Sequence, residues 1–204
     1  MIRRFVATAF AAASLFALRT ADAQTLLSTG NVGTQHATGS NLAQYGQRVK
    51  VASNTTVTQF GFWSKFNGSN DVMYSIRSED GSKLLYSQTI TRVNTGDFAL
   101  LFSDPFSFNL LAGQTYDFVI GASSSDWFIT KFFFEKALTQ SGLTLVNPGG
   151  VYLGQFPDAK LDSHNQGTWA IEIRGSSVVP EPGTYVLLAT GLAALFVVRR
   201  RRRA

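Results

Sequence analysis

The middle of the chain repeats one pattern, apolar residues at every second position. TVTQFGFWSKF at 56–66 places Phe60, Phe62 and Phe66 on one face. DVMYSIR at 71–77 alternates Val72, Tyr74 and Ile76. KLLYSQTIT at 83–91 offers Leu84, Tyr86 and Ile90, and TYDFVIGA at 115–122 offers Tyr116, Phe118 and Ile120. TWAIEIR at 168–174 sets Trp169, Ile171 and Ile173 against Glu172 and Arg174, while WFITKFFFE at 127–135 is nearly continuous aromatic. Successive side chains of a strand point to opposite faces, so this spacing predicts strands that each bury one face. No window of the body gives a helical stripe. The body is expected to be all-β.

Turn chemistry separates these runs. Asn67-Gly68 and Asp80-Gly81 suit tight hairpins because both dipeptides tolerate positive φ. Asn94-Thr95-Gly96-Asp97, Ala112-Gly113 and Asn147-Pro148-Gly149-Gly150 mark further reversals. Many short strands joined by turns predict an antiparallel β-sandwich of jelly-roll type. Residues 24–44 are polar and Gly-rich and lead into a first strand at 47–51, whereas 136–167 carry weaker strand signals and are expected to hold a long loop. The chain has no cysteine, so disulfides, thiolate metal sites and a cysteine nucleophile are excluded. Its 17 phenylalanines must then supply the cohesion of the core.

The two ends read differently. Arg3 and Arg4 precede an apolar run from Phe5 to Leu18, followed by Ala21-Asp22-Ala23. Charge, apolar run and small residues in this order predict a secretory signal peptide over 1–23, cut by signal peptidase between Ala23 and Gln24. At the other end, Tyr185–Val198 carries no charge and is followed by Arg199, Arg200, Arg201, Arg202 and Arg203. A helix over about 182–198 would span about 26 Å of a hydrocarbon core about 30 Å thick, and the arginines can snorkel to the headgroups. By length alone the stretch also suits a buried core helix, but five arginines cannot follow it into a core. They sit where cytoplasmic charge stops translocation. The expected topology is a body outside (24–178), a single transmembrane helix, and the C-terminus (within 179–204) inside.

Net charge is +5, which would suit a nucleic-acid partner. Eight of the 18 basic residues, however, lie in the two terminal segments, and the body between Gln24 and Val178 is left with 10 basic and 11 acidic residues. Nucleic-acid binding by a basic face loses its support.

Between body and tail stand Val179, Pro180, Glu181 and Pro182. Each proline fixes φ near −65°, removes a donor and pushes the preceding residue toward extended geometry. The tetrapeptide is thus an extended strip beside the membrane, a form that a processing enzyme's cleft can grip. Extended motif, apolar helix and arginine cluster in this order resemble the PEP-CTERM sorting signal, a segment also labelled an ice-binding protein C-terminal domain. The resemblance covers Val179 to Arg203. It implies recognition of Pro180-Glu181-Pro182 by an exosortase-type membrane transpeptidase, and release of an inner-membrane-anchored precursor to the cell surface or extracellular matrix of a Gram-negative-type, exopolysaccharide-producing bacterium. The body, through LLAGQTYDFVIGA at 110–122, is similar to the jelly-roll, carbohydrate-binding-module-like domains of anchored surface proteins.

Catalytic patterns are sparse. His36 and His164 are expected on solvated loops, and no nucleophile elbow, zinc-protease, P-loop or dinucleotide motif is present. A glycosidase needs two facing carboxylates, and nothing in the sequence selects a pair from Asp104, Asp117, Asp126 and Glu135. A calcium site has no loop signature, so neither metal nor cofactor is expected. Trp63 falls opposite Phe60 and Phe62, and Trp127 follows a loop-like Ala-Ser-Ser-Ser-Asp stretch. Both are candidate exposed platforms for sugar rings, whereas Trp169 belongs to the core. The reading is a non-catalytic surface or matrix protein that binds exopolysaccharide. The alternatives are an extracellular polysaccharide hydrolase and a permanently anchored membrane protein.

Overall fold

A computed structural model of the chain describes residues 23–30, 34–37, 43–123, 127–132, 137–155, 161–164 and 167–177. The expected signal peptide, apart from Ala23, lies outside the described residues. So do Val179–Pro182, the apolar stretch and Arg199–Arg203. Among the described residues every regular element is a strand.

The strands are β1 (Gln24–Ser28), β2 (Thr34–Ala37), β3 (Ala43–Val51), β4 (Thr55–Lys65), β5 (Asn67–Ser78), β6 (Leu84–Thr95), β7 (Ala99–Phe102) and β8 (Phe108–Leu110). They continue as β9 (Thr115–Ala122), β10 (Phe128–Phe132), β11 (Leu138–Gln140), β12 (Leu143–Gln155), β13 (Leu161–His164), β14 (Thr168–Trp169) and β15 (Ile171–Ser177). One sheet runs β1-β15-β4-β10-β14, with β2 on β10 and β7 and β8 on β4. The other runs β11-β12-β3-β9-β5-β6, with β13 on β12. The pairings are antiparallel, and the fold is the expected β-sandwich of jelly-roll type.

The period-two pattern places the core between the sheets. Phe60, Phe62 and Phe66 from β4 and the turn after it, Val72, Tyr74 and Ile76 from β5, Phe118 and Ile120 from β9, and Trp169, Ile171 and Ile173 near the C-terminal end are all buried. Phe60 is the hub. Its ring meets Phe118 edge-on at 5.1 Å, Tyr74 at 5.7 Å, Phe106 at 6.1 Å and Phe62 at 6.3 Å. Edge-to-face contacts of this kind add to the stabilisation from burying aromatic area.

Five expectations are corrected. Asn67-Gly68 is not a hairpin, because β4 and β5 belong to different sheets. The dipeptide turns the corner between them, with Gly68 at φ 76°, and the β5 that it opens pairs with β6. Asp80-Gly81, by contrast, does turn the β5–β6 hairpin, with Gly81 at φ 67°. Residues 136–167 are not one long loop: β12 runs 13 residues along β3. Asn147-Pro148-Gly149-Gly150 is absorbed within β12 as a register shift between Leu145 and Gly150. There the amides of Gly149 and Gly150 donate to the Gly167 carbonyl at 3.3 and 2.6 Å. The polar stretch 24–44 holds β1 and β2, and β3 begins at Ala43. Leu84 is 48% exposed, because a register shift beside it gives the core contact to Leu85.

Candidate functional site

The outward face of the first sheet collects half-exposed rings and polar groups on four adjacent strands. On β4, burial of Phe60 and Phe62 turns Gly61 and Trp63 outward. Across β7, Gly61 is opposite Phe102 and Trp63 opposite Leu100. Directly opposite residues share a face, so Leu100 and Phe102 extend the same row. On the other side Gly61 is opposite Glu172 of β15, which in turn is opposite Ser28 of β1. Trp63, Leu100, Phe102, Glu172 and Arg174 are all half-buried.

The charged groups of this face are held in place. Arg174 donates from Nε to Glu172 Oε1 at 2.8 Å, and its guanidinium lies 3.9 Å from the Phe102 ring centre. Glu172 also accepts from the Ser28 and Thr25 hydroxyls at 3.2 and 3.4 Å. At the far end, Lys65 Nζ lies 5.1 Å from the centre of Phe98. Planar groups stacked with cations gain attraction from the ring quadrupole. The face therefore offers an apolar strip of Trp63, Leu100 and Phe102, with donors and acceptors fixed along its margin. It can stack the C–H face of a planar or ring-shaped ligand and hydrogen-bond hydroxyls at its edge.

Sequence reasoning found Trp63 but missed Phe102, Leu100 and Arg174 as its companions. ALLF at 99–102 has no alternation, and only the pairing with β4 decides which of its residues face outward. The expectation for Trp127 is corrected. It is 1% exposed, with its ring 5.9 Å from Tyr45 and edge-on to it. The aromatic run that it opens carries it into the core despite the loop-like residues before it. Trp169 is buried as expected and meets Tyr45 at 4.9 Å.

The carboxylates go elsewhere. Asp117, 1% exposed on the outward face of the second sheet, accepts from Arg48 Nε and Nη2 at 2.9 and 3.0 Å. Arg48 also donates to the Glu79 carbonyl, and Arg77, opposite Asp117 on β5, donates to the Gly81 carbonyl at 3.2 Å. Burial pushes the Arg77 guanidinium down, and the Asp117 charge opposes this. This group braces the β5–β6 hairpin. Asp104, on the segment after β7, is bound by Arg92 at 2.9 Å. Burial pushes the nearby Tyr74 phenol up, with Arg92 pulling it back and Asp104 adding to the rise. Asp126 and Glu135 lie outside the described residues. His36 stands on β2 and His164 on β13, not on loops.

An open cleft of about 680 Å³ lies between the β5–β6 hairpin and the β8–β9 link, lined by Arg48, Ser78, Glu79, Asp80, Leu111 and Tyr116. Asp80 there is held down to about 2 by hydrogen bonds from Ser78 and Ser82. Among the described residues no three His, Cys, Asp or Glu side chains cluster to hold a metal ion. No helix among them is long and apolar enough to cross a membrane.

No curated protein matches the chain. A family model for the PEP-CTERM protein-sorting motif matches residues 178–203. These residues follow β15, where the described sandwich ends at Ser177. The motif implies exosortase processing of an exported protein that passes through the membrane. The chain thus carries the PEP-CTERM sorting motif behind an all-β sandwich.

Proposed function

We propose that the sandwich is a non-catalytic component of the cell surface or extracellular matrix that binds exopolysaccharide on the face built around Trp63. The row of half-exposed Trp63, Leu100 and Phe102, edged by Arg174 and Glu172, carries this reading. Sugar rings present apolar C–H faces and hydroxyl rims, and this surface matches both, with rings for the faces and fixed polar groups for the rims. The sorting motif supports this reading because it implies export, and such polymers lie outside the cell.

Retention of the protein on exopolysaccharide from the producing cells tests the proposal. Trp63→Ala should abolish retention while leaving the sandwich folded by circular dichroism. Retention unchanged in Trp63→Ala, or shortening of the polysaccharide by the protein, would overturn it, the second result in favour of a hydrolase.

A further inference from the structure

We propose that β6 is an assembly edge, at which a second copy of this chain adds its own β6 antiparallel and joins the two second sheets into one. β6 ends that sheet, and among the described residues it pairs only with β5. It is 12 residues long, about 40 Å of ladder, whereas the strand at the opposite end of the same sheet has only 3. Edge strands are normally protected by charge, proline, bulges or brevity. LLYSQTITRVNT contains no proline or glycine and a single charge, Arg92. Its irregularity is confined to the first residues, beside Leu84. Its outward face, Ser87, Thr89, Thr91 and Val93, is exposed, with Val93 at 75%.

The strand is complementary to itself. A two-fold axis perpendicular to the sheet keeps inward residues opposite inward ones, so the pair must be centred on a residue. Centring on Thr89 overlaps nearly the whole strand. It places Ser87 opposite Thr91 and Gln88 opposite Ile90. A hydroxyl pair such as Ser87 and Thr91 stabilises neighbouring strands. Arg92, whose guanidinium is held by Asp104 and the Phe102 carbonyl of its own chain, comes opposite Tyr86 of the other copy and not opposite a second arginine. Centring one residue later brings the two arginines closer and replaces the tyrosine with Gln88. An isologous contact of this kind closes as a dimer.

The chain has no cysteine, which allows a direct test. Across the two-fold axis the two Thr89 Cα atoms lie about 4.5–5.5 Å apart, within disulfide reach, while the two Thr91 Cα atoms lie roughly 13 Å apart. In protein recovered from producing cells, Thr89→Cys should form a covalent dimer under mild oxidation and Thr91→Cys alone should not. A mixture of Ser87→Cys and Thr91→Cys should link the two variants. Sedimentation of the unsubstituted protein should show twice the monomer mass, and Thr89→Lys should halve it with an unchanged circular dichroism spectrum. A monomer for the unsubstituted protein, a dimer that persists in Thr89→Lys, or equal cross-linking at positions 89 and 91 would each overturn the assignment.

Discussion

The Arg174 guanidinium lies 3.9 Å from the centre of the Phe102 ring, although β4 separates the strands that carry them. The residue of β4 opposite Phe102 is Gly61, and its missing side chain leaves the gap that the arginine and the ring fill. A Cβ at Gly61 would stand 2.6 Å from the Leu101 carbonyl oxygen and 3.0 Å from Phe102 Cδ1. The backbone oxygen cannot retreat as a side chain would. Gly61→Ala is expected to destabilise the sandwich by about 1–3 kcal/mol in urea unfolding, as overpacking does, and to weaken polysaccharide retention. Unchanged stability would show that the sheet yields at this point.

The Asp117 and Asp104 pairs with arginine should differ in worth. Asp117 is 1% exposed and bidentate with Arg48, so removing it strands a partly buried cation among the strands it braces. Asp117→Ala is expected to cost about 3–5 kcal/mol. Asp104 is 51% exposed and its pair with Arg92 is screened by water. Asp104→Ala is expected to cost under about 1 kcal/mol. Chemical denaturation of the two variants side by side measures the difference.

Asp80 gives a pH signature. Its carboxylate accepts from the Ser82 hydroxyl at 2.7 Å and the Ser82 amide at 3.1 Å, and Ser78 donates a further hydrogen bond. These bonds favour the ionised form and bring the group from 3.8 to about 2. A carboxylate depressed in this way supports the fold fully above its unfolded value of 3.8, and the support is lost as pH falls toward about 2. Carbon-detected NMR titration should place the Asp80 midpoint near 2, and Ser78→Ala should move it up.

Trp63 and Trp127 should separate binding from stability. Trp127 is buried, so Trp127→Ala should cost about 3–5 kcal/mol, as loss of a large core side chain does. Trp63 is half-buried on an outward face, so Trp63→Ala should cost less while losing polysaccharide retention. The pair of variants, compared by thermal unfolding and by retention, distinguishes a platform residue from a core residue.

Much of the sandwich was legible because burial writes itself as parity. Phe60, Phe62, Tyr74, Ile76, Phe118, Ile171 and Ile173 all follow the alternation into the core. The sequence misled where a dipeptide has more than one use. Asn67-Gly68 supplies positive φ to a corner as readily as to a hairpin. Asn147-Pro148-Gly149-Gly150 carries every mark of a turn, yet β3 pairs with β12 on both sides of it. The outward platform was legible only at Trp63, because its other members depend on which strands become neighbours. Phe102 and Arg174 are 72 positions apart in the chain, and no local pattern announces that Gly61 brings them together.

Intact-mass measurement of the protein recovered from producing cells tests the central claim most directly, that both ends are sorting signals and the sandwich between them is what works outside. A chain that begins at Gln24 and ends near Pro182 is the expected result. A chain that still carries Met1 or Arg203 would contradict processing at that end, and a retained Arg203 would make the tail a permanent anchor.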